Sequence, residues 1–152
     1  MIIPGYLENG KTLILTPENS EKDHVIFESV LVDTDILIKA FRGDKIKQQN
    51  LIYLNNKYCI SIITACELIN GAKSIKQHKE FIKVLRTYKL TLIDEKISEK
   101  AFSLFKKYSL NKDMKISDSF IAASAIINDL FLYTDNKRDF SFIDEIKFFK
   151  EN

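Results

Sequence analysis

Short apolar runs rich in β-branched residues alternate along this chain with longer amphipathic stretches. That alternation constrains the fold more than any other feature. Val30-Leu31-Val32 and segments 58–62, 90–93, 130–133 and 146–149 read as strands. Between them, 35–41 reads as a helix ended by Gly43, and 45–55 as a second, polar-faced helix. Thr64 can cap a short helix that runs to Asn70 and stops at Gly71. Ser74 can cap the next, to about Tyr88, with Ile75, Phe81, Ile82 and Leu85 as its apolar stripe. Asp94 can cap another, with Ile97, Ala101, Leu104, Phe105 and Tyr108 recurring at the helical period. The Ala- and Ile-rich stretch 117–128 predicts a central, buried helix. Strands that alternate with helices predict an α/β fold, with a central, mostly parallel sheet flanked by helices.

Residues 1–29 break this pattern. Pro4, Gly5, Gly10 and Pro17 punctuate them, Glu8-Asn9-Gly10-Lys11 reads as a hairpin turn, and 11–16 could form a strand. The chain is thus expected to divide into an N-terminal extension, 1–29, and one compact domain, 30–152. Charge divides at the same place. The extension holds Lys11 and Lys22 against Glu8, Glu18, Glu21, Asp23 and Glu28. The overall charge of +2 therefore conceals a basic body, which suits a polyanionic partner.

Other classes are disfavoured. With 45% apolar residues, including 11 Phe, the chain can bury a core. No apolar run approaches a membrane span, and the N-terminus lacks a signal-peptide pattern, so a cytoplasmic protein without a membrane partner is expected. Cys59 and Cys66 have no ligand spacing and are expected to be reduced and buried. His24 and His78 read as surface residues, which argues against zinc.

The acids carry the chemistry. Asp33 follows the first strand, Glu67 lies one turn into the helix after the second, and Asp118 opens the Ala/Ile helix. Asp135 and Asn136 follow the strand at 130–133. In a parallel sheet these residues can meet at one edge, where such folds bind ligands. Carboxylates gathered at one point repel each other unless a cation sits among them, and hard oxygen donors favour Mg²⁺ or Mn²⁺. Each acid also has a structural explanation. Asp33 and Asp135 fit strand-end turns, Thr64 and Glu67 fit a T-x-x-E capping box, and Asp118 complements a helix dipole.

The chain resembles the PIN-domain ribonucleases, and within them the VapC-like toxins of toxin–antitoxin pairs. Four segments carry the resemblance: Val30-Leu31-Val32-Asp33-Thr34-Asp35-Ile36-Leu37-Ile38, Ser61-Ile62-Ile63-Thr64-Ala65-Cys66-Glu67-Leu68, Ile116-Ser117-Asp118-Ser119-Phe120-Ile121-Ala122-Ala123-Ser124-Ala125 and Leu132-Tyr133-Thr134-Asp135-Asn136-Lys137-Arg138-Asp139-Phe140. It implies a three-layer PIN-like fold and metal-dependent hydrolysis of RNA phosphodiesters, leaving 5′-phosphate and 3′-hydroxyl ends. The implied partners are an RNA substrate, a cognate antitoxin and a second copy of the chain. Asp33, Glu67 and Asp118 take the first three acidic places. Asp135, Asn136 and Asp139 compete for the fourth, with Asp135 preferred on charge. Thr34 and Thr134 supply hydroxyls behind the ligands. Asp35 is not counted as a ligand. Arg42, Lys45, Lys73, Lys112, Lys115, Lys137 and Arg138 are candidates for steering RNA. The extension departs from the family, and residues 4–15 resemble the strand-rich part of some small antitoxins.

Two other readings remain open. Asp33-Thr34-Asp35, Lys112 and the 135–139 segment loosely resemble haloacid-dehalogenase-type phosphatases, with Asp33 as nucleophile and Asp35 as acid/base. A PIN-like fold kept only as a non-catalytic partner-binding module is the other.

Overall fold

The computed structural model describes residues 29–55 and 57–151. The expectations placed on residues 1–28 (the hairpin, the strand, the antitoxin-like segment and His24) lie outside the described residues.

In chain order the elements are β1 (Val30–Val32), α1 (Thr34–Phe41), α2 (Lys45–Leu54), β2 (Tyr58–Ser61), α3 (Ile62–Asn70) and α4 (Ile75–Leu85). Then follow β3 (Leu90–Thr91), α5 (Glu95–Lys112), α6 (Ile116–Ile127), β4 (Phe131–Tyr133), a 3₁₀ turn (Lys137–Asp139) and β5 (Lys147–Phe148). The strands form one sheet in the order β3-β2-β1-β4-β5, and every pairing is parallel. The α/β expectation holds.

The strands read as continuous apolar runs because both sheet faces are covered. Successive residues point to opposite sides. Val30, Val32, Ile60 and Tyr133 enter one core, with Ile36 and Leu37 of α1, Leu51 and Leu54 of α2, Leu68 of α3 and Phe81 of α4. Leu31, Cys59 and Leu132 enter the other, with Ile97, Ala101 and Leu104 of α5 and Ile121, Ala122 and Ala125 of α6. This is a three-layer arrangement. Strand order reverses at β1, between β2 and β4, so the crevice outside the carboxyl ends of β1 and β4 is the topological switch point. Val32 is in register with Tyr133, which brings Asp33 and Thr134 side by side at that point, and the Asp33 amide donates to the Tyr133 carbonyl at 2.9 Å.

Several local expectations are corrected. Helix α3 starts at Ile62, directly from the strand, and its cap is Ser61 rather than Thr64. The Ser61 hydroxyl accepts from the Thr64 amide at 2.9 Å and donates to the Thr64 hydroxyl at 3.0 Å. Ile62 and Ile63 had masked this start, because β-branched residues after a strand read as more strand. Glu67 is therefore about a turn and a half into α3, and the Thr64–Glu67 capping box does not form. Ser61 and Thr64 are both fully buried, so Ser61→Ala leaves an amide and a hydroxyl without their partner. We expect it to lower stability by about 1–2 kcal/mol in urea unfolding. Ile75 is solvent-exposed, and Val84 joins Phe81 and Leu85 in the buried stripe of α4. Cys59 is buried but Cys66 is exposed, and both are free thiols. Gly43 does end α1, at φ +96°, a conformation strained for any other residue. Among the described residues, no helix is long and apolar enough to cross a membrane.

Candidate active site

Asp33 sits where β1 turns into α1. It caps α1, accepting from the Thr34 amide at 2.7 Å, and the Thr134 hydroxyl of the neighbouring strand end also donates to it. It is almost fully buried. Burial, then the charge of Asp35, with Glu67 adding to them, push its carboxyl up to about 7 against the opposing hydrogen bonds from Thr34 and Thr134. Glu67, half-buried on α3, accepts from the Thr34 hydroxyl at 2.5 Å, which ties the second strand–helix unit to the first. Asp118 lies in the first turn of α6, whose N-terminus has no side-chain cap. Burial pushes Asp118 up to about 6. The charge of Lys115 opposes this, and repulsion from Asp139 and Glu67 adds to it. Asp139, on the 3₁₀ turn, accepts from the Asn136 side-chain amide, and the Asn136 backbone amide donates to the Thr134 hydroxyl at 3.0 Å. Repulsion thus links Asp33 to Glu67, and Glu67 and Asp139 to Asp118.

Asp135 faces elsewhere. Its carboxylate accepts from Lys39 and Lys47, both at 2.6 Å. Burial opposes its charge, but the two lysines outweigh that and hold it below the usual carboxylate range. Lys47 is buried, also pairs with Glu151 and lies 5.5 Å from the centre of the Tyr133 ring. The Tyr133 hydroxyl in turn donates to Glu151 and accepts from Asn50 at 3.2 Å. Asp35 also serves the backbone, accepting from the amides of Ile36 at 2.8 Å and Asp135 at 3.0 Å. Both its oxygens are engaged in holding the loop, which leaves it poorly placed for acid/base chemistry. Sequence reasoning missed this lysine network. The available signal was the spacing of Lys47, Asn50, Leu51 and Leu54, an i, i+3, i+4, i+7 stripe that turns two polar residues inward.

The basic candidates divide into separate regions. Lys112, Lys115 and Arg138 line one groove, together with Asp139. Arg42, Lys45 and Lys73 are exposed and do not line it, and Lys137 lies over the Phe148 ring.

The donor set fits a hard divalent cation: oxygen ligands only, with two carboxyls raised in pKa by burial and by neighbouring negative charge. Among the described residues, no three His, Cys, Asp or Glu side chains close into a tight ligand cluster. An ion that keeps several waters and needs few carboxylates does not require one.

A family profile described as PIN domain matches residues 30–146. The chain belongs to the PIN-domain family. Among curated proteins it is similar to Ribonuclease VapC1 of Methanocaldococcus jannaschii, 35% identical over 118 residues that span 76% of this chain and 82% of that protein. Among solved structures it is similar to a chain of a toxin–antitoxin complex from Klebsiella pneumoniae. There the TM-score is 0.68 and identity 32%, covering 82% of this chain and 100% of that one. A DNA-bound VapBC structure from Salmonella typhimurium, at TM-score 0.69 and 22% identity over 80% of this chain and 97% of that one, shares the fold. The phosphatase and non-catalytic readings are not favoured.

Proposed function

We propose that this chain is an Mg²⁺- or Mn²⁺-dependent endoribonuclease and the toxin of a toxin–antitoxin pair. The observation that carries the reading is that the carboxyls of Asp33 at the switch point of the sheet and Asp118 on α6 are both raised in pKa by burial and both repelled by Glu67. The similarity to Ribonuclease VapC1 and to a toxin–antitoxin complex supports it. In the same reading, residues 30–152 form the catalytic domain, 1–29 an appended segment, and the chain works in the cytoplasm as a homodimer bound by its antitoxin.

Asp33, Glu67 and Asp118 hold the cation. Asp139, oriented by Asn136, completes the set in preference to Asp135, whose carboxylate already bonds two lysines. When bound there, a divalent ion would supply a water of lowered pKa and positive charge for the scissile phosphate. The chain's own groups set the geometry. The Thr34 hydroxyl fixes the Glu67 carboxylate, and the Thr134 hydroxyl bonds both Asp33 and the Asn136 amide.

Asp33 and Asp118 must be ionised to bind the ion, so cleavage falls towards acid pH. Because the ion itself favours the charged carboxylates, the fall lies below the metal-free values of about 7 and 6 and moves lower as metal concentration rises. Stability runs the other way. A carboxyl raised from 3.8 to about 7 keeps its proton longer in the folded chain than in the unfolded one. The metal-free protein is therefore most stable below pH 4 as far as Asp33 is concerned, and loses that contribution as pH rises to 7. The decisive test is RNA cleavage followed from pH 5 to 9 with EDTA, with Mg²⁺ and with Mn²⁺. Cleavage that needs the metal and is lost at the acid end is expected. Cleavage that persists in EDTA would end the reading.

A further inference from the structure

Beside the acids lies a groove of about 760 Å³, within the usual range of small-ligand sites. The last turn of α5, the turn into α6 and the segment from the 3₁₀ turn to Phe142 form its walls. Asp113, in the left-handed conformation that ends α5, folds the chain back so that Lys112 and Lys115 flank the same opening. Arg138 faces them from the other side. None of the three is in an ion pair among the described residues, whereas Lys39, Lys47, Lys100 and Lys147 are all paired. Phe142 lines the groove and is braced by Tyr108, with ring centres 4.9 Å apart. Leu110 adjoins it, 92% exposed, an apolar side chain in open solvent.

Asp139 gives this groove its direction. It is a wall of the groove and at the same time one of the charges that repel Asp118. Asp139 therefore belongs both to the basic trough and to the charges around Asp118.

We propose that this groove is a subsite for single-stranded RNA flanking the scissile bond, in which Lys112 and Arg138 hold a backbone phosphate, Lys115 guides the strand towards the acids, and an unpaired base lies against Phe142. This rests on the ribonuclease reading. Cations outside any ion pair, beside a half-buried aromatic ring that lines the same groove, are what a single strand needs: charge for the backbone and a ring edge or face for the base. An acidic protein segment would use the charges but not the ring. Asp113 and Asp139, both on the wall, disfavour free carboxylates and leave the cations to a ligand that also stacks.

The test uses the full chain and a fluorescein-labelled, randomised single-stranded RNA of about twelve nucleotides, a length near the upper range of one single-strand site. Binding is read by anisotropy with Ca²⁺ present, and cleavage of the same pool with Mn²⁺. Lys112→Glu with Arg138→Glu is expected to weaken binding at least about tenfold and to reduce the salt slope by about two. Phe142→Leu is expected to weaken it several-fold with little change in that slope, and Lys76→Glu with Lys79→Glu on α4 to change nothing beyond about twofold. A pool containing 4-thiouridine should crosslink to peptides from 110–115 or 138–142, which reports placement even where a variant folds poorly. Groove variants that bind like wild type, while wild type cleaves the pool, overturn the groove and leave the ribonuclease reading standing. A wild type that neither binds nor cleaves the pool overturns both. An oligoglutamate peptide that binds as tightly and suffers the same losses overturns RNA in favour of an acidic protein.

Discussion

Asp33→Asn is expected to abolish RNA cleavage and to raise the melting temperature of the metal-free protein at pH 8. The two effects have one cause. Asp33 is 7% exposed, and its carboxyl is raised to about 7 by burial and by the neighbouring charges of Asp35 and Glu67. At pH 8 the folded chain must carry that charge without a cation, at a cost of several kcal/mol before solvent and local relaxation reduce it. Asparagine keeps the oxygen that accepts from the Thr34 amide, so the α1 cap survives while the charge is lost. We expect the metal-free melting temperature to rise by about 5 °C or more, since 1 kcal/mol is worth roughly 2–4 °C in a chain of this size. Removing a charged ligand should cut kcat by at least about a thousandfold, or roughly 4 kcal/mol of transition-state stabilisation. Calorimetry with and without Mn²⁺ and a cleavage assay check both halves. The wild type should gain stability from Mn²⁺ and the variant should not. A variant that melts lower, or still cleaves, contradicts the role given to Asp33.

Asp135→Asn and Asp139→Asn should part company. Asp139 belongs to the group that repels Asp118, so its loss should reduce kcat by about a hundredfold or more and raise the Mn²⁺ concentration needed for half-maximal rate. Asp135 holds Lys39 and Lys47. Its loss leaves buried Lys47 with Glu151 alone and should lower stability by about 1–3 kcal/mol. The range is kept below that of a fully buried pair because Asp135 itself is partly exposed. Cleavage by Asp135→Asn should stay within about fivefold of wild type, the residual loss coming from a looser 134–139 loop. The reverse pattern, with Asp135→Asn inactive and Asp139→Asn nearly normal, restores Asp135 as the fourth ligand.

The contrast between these two acids shows where the sequence was informative. β1, β2 and β4 were legible because a strand buried on both faces leaves an unbroken apolar run, and Asp33 was legible because it ends one. The placing of Asp33 at the carboxyl end of β1, beside Thr134 at the end of β4, followed from parallel topology alone. The choice among Asp135, Asn136 and Asp139 did not. Three polar residues on one short loop can each face any way, and where Asp135 faces depends on Lys39 and Lys47, nearly a hundred positions away in the chain. The start of α3 was missed for a similar reason. Ser61 acts as strand end and helix cap at once, and no connecting residues mark the change. Ile75 was misjudged because apolar spacing at the first turn of a helix does not reveal whether anything packs there.

The sheet has one further property. Its two outermost strands, β3 and β5, are each two residues long, while the longer strands lie inside. A border that short offers a foreign chain almost no row of free amides and carbonyls on which to add a strand. Among the described residues, the flanks of this sheet therefore present little template for fibril growth, and a crowded solution of this domain should resist edge-to-edge association even though its interior strands are strongly apolar.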